Sequence, residues 1–330
     1  MEKFSALLLQ ETDENVTHSI QEITTDQLSE GDVLIKTSYS SINYKDSLAV
    51  QKKGGVIRSY PMIPGIDVSG TVVSSSNDSF KPGDSVLVTG YGLGVSHTGG
   101  FSEYVRVPSE WVVPLPAELT EKAAMVLGTA GFTAALCIDG LEQHGLSENK
   151  NASILVTGAS GGVASLSIGM LKKAGYTNIT ALTRKKESEA ALKQLGASEV
   201  LLLEDFMPEK IRPLGKQDFD FVLDTVGGEV LAAALPLISY GGSAAICGNA
   251  GGIGLNTTVL PFILRGVNLL GIDSVNVEMT KRKAIWKRMA AEWAIADTAL
   301  VNEITLQEAP QTFAALQQGA HIGRTIIKFS

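Results

Sequence analysis

The chain has 330 residues, 44% of them hydrophobic and 19% charged, with a formal net charge of −8. That is enough chain for two domains and enough apolar content for a sizeable core, and the acidic balance argues against nucleic acid or an anionic membrane as a main partner. The two cysteines, Cys137 and Cys247, each lie inside an apolar run, which reads as buried free thiols and not as a disulfide framework.

Neither cysteine has a second Cys or a His at ligand spacing, and His18, His97, His144 and His321 are scattered among polar neighbours. The N-terminal stretch lacks the layout of a signal peptide. The longest uncharged apolar run considered, Ala123 to Ile138, is short for a bilayer and holds two glycines, so a cytoplasmic location is expected.

In chain order, the first part reads as β-rich. Ser5–Leu9, Val33–Ser38, Ser69–Ser74, Ser85–Thr89 and Phe101–Pro108 are short β-type runs separated by Gly/Pro/Asp turns. Pro114 and Pro116 interrupt the pattern, and a long helix is expected from Thr120, with Thr120-x-x-Ala123 as its N-cap. Beyond residue 150 strands and helices alternate: strands at Ile154–Val156, Asn178–Leu182, Glu199–Leu203, Asp220–Leu223, Ser243–Cys247 and Val267–Ile272, with helices between them. Six such strands with crossovers make a doubly wound parallel sheet. The end of the chain, Gly323–Lys328, returns to β-type sequence after a helix near Lys281–Trp293 and is expected to pair back into the first domain.

Three strand ends carry glycine loops: Gly158–Gly162, Asp224–Gly228 and Gly248–Gly252. In a doubly wound sheet these share the ligand edge. The first is followed by a helix whose free N–H groups suit a pyrophosphate, although only the middle glycine of G-x-G-x-x-G is kept, as Ala159-x-Gly161-x-x-Ala164. Ser160, Gly161, Gly162 and Val163 are the expected contacts. About 20 residues on, where an NAD enzyme carries Asp or Glu for the ribose 2′-OH, stands Thr183-Arg184-Lys185-Lys186. An arginine there suits a 2′-phosphate, so the cofactor is read as NADP(H), bound by Thr183 and Arg184.

Several strings then resemble one family: Ser41-Ile42-Asn43-Tyr44-Lys45-Asp46, Pro64-Gly65-Ile66-Asp67-Val68-Ser69-Gly70, Gly128-Thr129-Ala130-Gly131-Phe132, Pro261-Phe262-Ile263-Leu264-Arg265-Gly266, Gly271-Ile272-Asp273-Ser274 and Gly323-Arg324. They are similar to the YhdH/YhfP-type quinone oxidoreductases and acrylyl-CoA reductases of the medium-chain dehydrogenase/reductase superfamily. The resemblance implies an α/β chain with a GroES-like β-rich catalytic domain (residues 1–121 and 296–330) and a Rossmann domain binding NADP (residues 122–295). It implies hydride transfer to an activated C=C, as in an enone or acrylyl-CoA, or to a quinone, in a homodimer. Zinc relatives carry Cys where Asn43 stands and Gly-His-Glu where Gly65-Ile66-Asp67 stands; Ile66 cannot ligate and Asn43 is a poor donor, so zinc is not expected. Without a metal, hydrogen-bond donors must meet the charge on the acceptor's carbonyl oxygen. Tyr44 and Asn43 are the candidates, as donors or as groups that pack on the nicotinamide, and Asp67 is an orienting group or a turn carboxylate. Thr129, Asn249, Arg265 and Arg324 are carried over as cofactor or pocket contacts, Arg265 alternatively as a structural ion-pair partner. Lys45, Lys52, Lys53 and Arg58 could meet a CoA ester or form a solvated loop. The Val267–Ile272 edge strand would support the dimer. The rival readings are a non-catalytic NADPH-binding sensor or structural protein, and a zinc-dependent alcohol dehydrogenase.

Overall fold

The short β-type runs of the first part of the chain form strands, as expected. In the computed structural model, which describes residues 3–329, this part forms β1 (Phe4–Glu11), β2 (Val16–Ile23), β3 (Val33–Ile42), β4 (Asp67–Ser75), β5 (Ser85–Thr89), β6 (Tyr104–Val107) and β7 (Val113–Pro114), with α1 (Tyr44–Ala49) between β3 and β4. Next come α2 (Glu121–Glu142), then β8 (Ile154–Thr157), α3 (Gly162–Lys173), β9 (Ile179–Thr183), α4 (Glu189–Leu195), β10 (Glu199–Leu202), α5 (Leu203–Phe206), β11 (Phe219–Asp224), α6 (Gly228–Ala234), β12 (Ile238–Ile246), α7 (Leu260–Arg265) and β13 (Asn268–Gly271). The chain closes with α8 (Met279–Ala290), β14 (Val301–Ile304), α9 (Ala309–Gln317) and β15 (Arg324–Lys328).

These elements form two units. The first holds the residues up to Thr129, Val275–Ala290 and the chain from Leu300; the second holds Ala130–Ser274 and Ala291–Ala299. The crossing at Thr129 lies later than residue 121, and Val275–Ala290, assigned by sequence to the nucleotide domain, packs with the first unit.

In the first unit β1 and β2 pair as a hairpin, and a seven-stranded sheet runs β14-β15-β3-β4-β5-β7 with β6 also on β3. Val33, Ile35, Val68, Val86, Val88, Val105 and Val107 fill its interior. The terminal strand does return here: β15 pairs antiparallel with β3, Thr325 opposite Ile42. In the second unit the six-stranded sheet is parallel, in the order β10-β9-β8-β11-β12-β13. This is the doubly wound order whose strand direction of growth reverses at β8 and β11, and ligands bind at that switch point. β12 begins five residues before its expected start, because Gly241-Gly242 lies inside the strand and not in a turn.

Thr120 caps α2 as its spacing predicted, its hydroxyl accepting the Ala123 N–H at 3.0 Å. The helix is long and apolar enough to cross a membrane, and longer than the run considered from sequence, but most of it is buried inside the protein. It is therefore a core helix. It is kinked at Gly128, where φ is 51° and ψ is −156°, a backbone region almost closed to other residues. A Cβ there would also lie 2.6 Å from both Asp67 Oδ2 and Ser41 Oγ. Gly128→Ala should therefore lose about 3 kcal/mol, combining backbone strain with overpacking, seen as a lower urea midpoint.

Candidate active site

The ligand edge of the second unit is set by its glycine loops. The loops after β8, β11 and β12 emerge side by side, because those strands are neighbours in the sheet. They interlock closely. A Cβ on Gly248 would lie 2.0 Å from the Thr225 carbonyl oxygen, and one on Gly227 2.9 Å from the oxygens of Gly248 and Gly252. Asp224, fully buried, joins the three strands: its carboxylate accepts Thr157 Oγ1 at 2.6 Å and the Gly227 N–H at 2.8 Å. Its carbonyl oxygen accepts the Cys247 N–H at 3.0 Å. Burial pushes the Asp224 carboxyl up from its ordinary range, against the bonds from Thr157 and Gly227. The sequence reading passed over this residue, although an Asp ending an apolar strand before Gly-Gly was visible.

Gly161 is the N-cap of α3, and Gly161, Gly162 and Val163 are partly open to solvent. Their end of a twelve-residue helix offers N–H groups without intrahelical partners. A helix end of this kind suits an anionic group. Ser160 is buried, 3.4 Å from the hydroxyl of Thr183.

Thr183 does not face outward as a phosphate contact would. Its hydroxyl is buried and accepts the Lys185 N–H at 3.1 Å, shaping the turn after β9. Arg184 and Lys186 are exposed on that turn and Lys185 is half-buried. Asn249 is exposed at the tip of its loop. Arg265 is placed differently from the cofactor role carried over for it: its guanidinium donates to the carbonyl oxygens of Pro236 (2.7 Å), Ile238 (3.1 Å) and Gly215. These are structural bonds, made to neutral backbone carbonyls where the alternative reading expected an ion pair.

In the first unit the remaining candidates meet around one carboxylate. Asp67 opens β4 and is fully buried, which removes the turn-carboxylate reading. Its Oδ2 accepts Ser41 Oγ at 2.5 Å, Asn43 Nδ2 at 2.7 Å and the Thr129 N–H at 2.9 Å, and its Oδ1 accepts Thr129 Oγ1. Arg324 lies 4.0 Å away and is itself only 3% exposed. Its Nη2 donates to Ser41 Oγ, Nη1 to the Ile42 carbonyl and Asn43 Oδ1, and Nε to the Val126 carbonyl. The guanidinium carried over as a cofactor or pocket contact is thus bonded within the protein framework.

Asn43 is held in the same network. One amide hydrogen goes to Asp67 and the other toward the Ser41 carbonyl at 3.4 Å, while its oxygen accepts from Arg324. Its short bond to Asp67 and the bond it accepts from Arg324 tie the buried amide to the protein framework. Tyr44, the next residue and the first of α1, is 43% exposed. Of the three catalytic candidates it alone presents its side chain to solvent.

Asp46 was missed, though Asn43-x-x-Asp46 is a legible capping pattern. Its Oδ2 accepts the Asn43 N–H at 2.7 Å and its Oδ1 the Ile66 N–H at 3.3 Å. Burial, then the charge of Asp67, raise its carboxyl from 3.8 to about 7, against the bond from Asn43 and the Arg324 charge. Among the described residues no cluster of three His, Cys, Asp or Glu side chains is placed to hold a metal ion. Lys52 donates to the carbonyl oxygens of Thr12 and Asp13, which fastens the β1–β2 hairpin.

Comparison with known proteins agrees with this geometry. Residues 29–117 match the family described as alcohol dehydrogenase GroES-like domain, and residues 162–292 the family described as zinc-binding dehydrogenase. YhfP of Bacillus subtilis, whose name assigns it provisionally to the quinone oxidoreductases, is 48% identical over 98% of both chains. Its structure with NAD bound has a TM-score of 0.96 and covers 100% of both chains. The acrylyl-CoA reductase AcuI of Ruegeria pomeroyi is 39% identical over 98% of both chains. The yhdH oxidoreductase of Salmonella enterica, solved with NADP, is 43% identical, with a TM-score of 0.95 over 99% of this chain and 100% of the other.

A raised folded-state pKa means that the folded chain binds the proton more tightly than the unfolded chain. The stabilisation from protonated Asp46 is therefore complete below about 3.8 and lost as the pH rises through about 7. Between about pH 5.5 and about pH 8 the parent should lose about 2 kcal/mol of unfolding free energy relative to Asp46→Asn, which has no proton to release. Parallel urea unfolding curves at the two pH values measure it.

Proposed function

Since this chain belongs to the YhdH/YhfP branch of the medium-chain dehydrogenase/reductase superfamily, we propose that it is a reductase that uses NADPH, without zinc, to reduce an activated C=C of the enone or acrylyl-CoA type, or a quinone. The observation that carries the reading is the turn after β9. It presents Arg184 and Lys186 to solvent beside a preformed pyrophosphate platform, where a carboxylate would select NAD.

NADPH supplies the hydride. Gly161, Gly162 and Val163 hold the pyrophosphate by backbone N–H groups, and Arg184 pairs with the 2′-phosphate. Tyr44 donates a hydrogen bond to the acceptor's carbonyl oxygen as it gains negative charge, a neutral donor being adequate because a conjugated acceptor already delocalises that charge. Asn43, Asp67, Thr129 and Arg324 fix the start of α1, on which Tyr44 stands, and Asp46 closes its first turn. Asn249 lies on the cofactor face of the platform as a further contact. The absence of zinc chemistry is supported by Ile66, which cannot ligate, and by Asn43, a poor donor whose amide bonds to Asp67 and Arg324. Steady-state NADPH oxidation by metal-stripped protein, screened against acrylyl-CoA, simple enones and quinones, tests the reading; dependence of turnover on added zinc would overturn it.

Two substitutions divide the roles. Arg184→Ala should raise the KM for NADPH about tenfold or more, a loss of about 1.5–3 kcal/mol, with little change for NADH. Tyr44→Phe should lower kcat about 100-fold, the low end for one lost oxyanion donor, at nearly unchanged NADPH affinity.

The second-unit sheet supports a homodimer. β13 is an edge strand, and Ile253, Val259, Ile263 and Leu264, in the chain that leads into it, are 91%, 63%, 68% and 56% exposed. An edge strand beside so much apolar surface favours covering by a second copy. The mass in solution at micromolar concentration should be that of a dimer, and Ile263→Glu should shift it toward monomer.

A further inference from the structure

A helix N-terminus binds a pyrophosphate best when its N–H groups stand in place before the anion arrives, because ordering them on arrival would weaken binding. Here that end depends on the loop Gly158-Ala159-Ser160-Gly161, between the end of β8 and the first turn of α3. Glycine at both ends makes the loop intrinsically loose, and Gly158 stands at a φ of 62°. The loop bonds within itself, Gly161 N–H to the Gly158 carbonyl at 2.8 Å, and to β9, Ala159 N–H to the Leu182 carbonyl at 2.9 Å. Its first residue is fixed from the other side, by side chains at the end of β11.

The ladder between β8 and β11 ends at the pair Val156 and Leu223. One residue further, Thr157 and Asp224, both 0% exposed, continue the pairing through side chains. Thr157 Oγ1 donates to Asp224 Oδ1 at 2.6 Å and accepts the Thr225 N–H at 3.0 Å. Thr225 Oγ1 donates in turn to the Thr157 carbonyl oxygen at 2.9 Å. The second carboxylate oxygen, Asp224 Oδ2, accepts the N–H of Gly227, the N-cap of α6, at 2.8 Å. One carboxylate thus serves two loops: one oxygen holds the residue that opens the loop after β8, and the other holds the loop after β11. Gly158 is closed in as well, since a Cβ there would lie 2.6 Å from Thr225 Oγ1. Neither Thr157 nor Asp224 reaches solvent, so their effect on a ligand passes through the backbone.

We propose that Asp224 and Thr157 are positioning residues for the cofactor: together they hold Gly158 so that α3 presents its N-terminal N–H groups to the pyrophosphate already ordered. The proposal rests on the pyrophosphate reading of Gly161, Gly162 and Val163. Two donors face Asp224 on separate oxygens, so a group with two acceptor atoms is needed to serve both. An amide would either set its NH2 group against the Gly227 N–H or leave the Thr157 hydroxyl proton without an acceptor. At position 157 the hydroxyl donates and accepts at once, which Ser can do and Val, of similar shape, cannot. The pyrophosphate is common to the phosphorylated and unphosphorylated dinucleotides, so loosening the pair weakens both alike. That sets these two residues apart from Arg184, whose loss falls on NADPH.

The test compares Thr157→Val, Thr157→Ser and Asp224→Asn with the parent. Cofactor fluorescence gives the Kd for NADPH and for NADH, steady-state turnover gives kcat at saturating NADPH, and amide hydrogen exchange follows residues 158–163 in the cofactor-free chain. Thr157→Val and Asp224→Asn should each raise both Kd values about tenfold and by the same factor. Their kcat should stay within about twofold of the parent's, and exchange across the loop should quicken. Thr157→Ser should bind as the parent does. The double change Thr157→Val with Asp224→Asn should weaken binding little more than either alone, because both open one clasp. Unchanged Kd values in Thr157→Val, a loss confined to NADPH, or Thr157→Ser as weak as Thr157→Val would each overturn the proposal. The two changes at Thr157 decide it even where Asp224→Asn does not fold. A parent that binds neither dinucleotide would strike the pyrophosphate reading instead, while unchanged exchange in Thr157→Val would by itself show that the pair does not order the loop.

Discussion

A carboxylate taken out of water is tolerable only when its lone pairs are met by donors and its charge by a cation. Asp67 imposes that condition on the first unit. Ser41, Asn43, Thr129 and Arg324 come from three distant stretches of chain, and all converge on it or on its neighbours. The kink in α2 follows from the same demand. Gly128 breaks the helix so that the Thr129 N–H can turn to the carboxylate instead of to a helical carbonyl. One guanidinium faces two buried acids, and the imbalance is resolved at Asp46, whose proton is retained to about pH 7. Tyr44 gains its fixed place as a by-product, standing on the first turn of a helix whose N-terminus this network holds.

The second unit solves a different problem by different means. Its ligand edge must bring backbone close to a charged cofactor, and it does so by removing side chains instead of by pairing charges. Asp224 ties β8, β11 and β12 at their carboxyl ends, and the glycines let the loops touch. Strand order alone had put these loops side by side; the hydrogen bonds show why they do not separate.

Much of this was legible in the sequence, where the signal was local. The six parallel strands, the Thr120 cap and the return of β15 to the first sheet follow from periodicity, capping chemistry and handed crossovers. What was not legible is long-range. Nothing in Gly323-Arg324 says that the guanidinium is sealed against Ser41 and Asn43, almost three hundred positions earlier in the chain. Arg265 likewise looked like a ligand contact until its three carbonyl partners were in view. Asn43 and Thr183 read as direct contacts in the sequence, and the structure buries both in bonds to the protein itself; the residue types alone do not say whether a polar side chain beside a site is its scaffold or its surface. Gly241-Gly242 hid the start of β12 because glycine pairs usually mark turns.

The interlocking of the glycine loops also bears on how such a chain can change. Any side chain added at Gly227 or Gly248 collides with backbone, so the pyrophosphate platform is closed to variation by single substitution. The turn after β9 is the reverse: Arg184 and Lys186 stand in solvent, and replacing either disturbs no packing. If Arg184 reads the 2′-phosphate as proposed, binding of the dinucleotide and discrimination between its phosphorylated and unphosphorylated forms are housed in mechanically separate parts. Descendants of this chain could then trade one cofactor for the other through surface mutations alone, while the fold beneath remained unaltered.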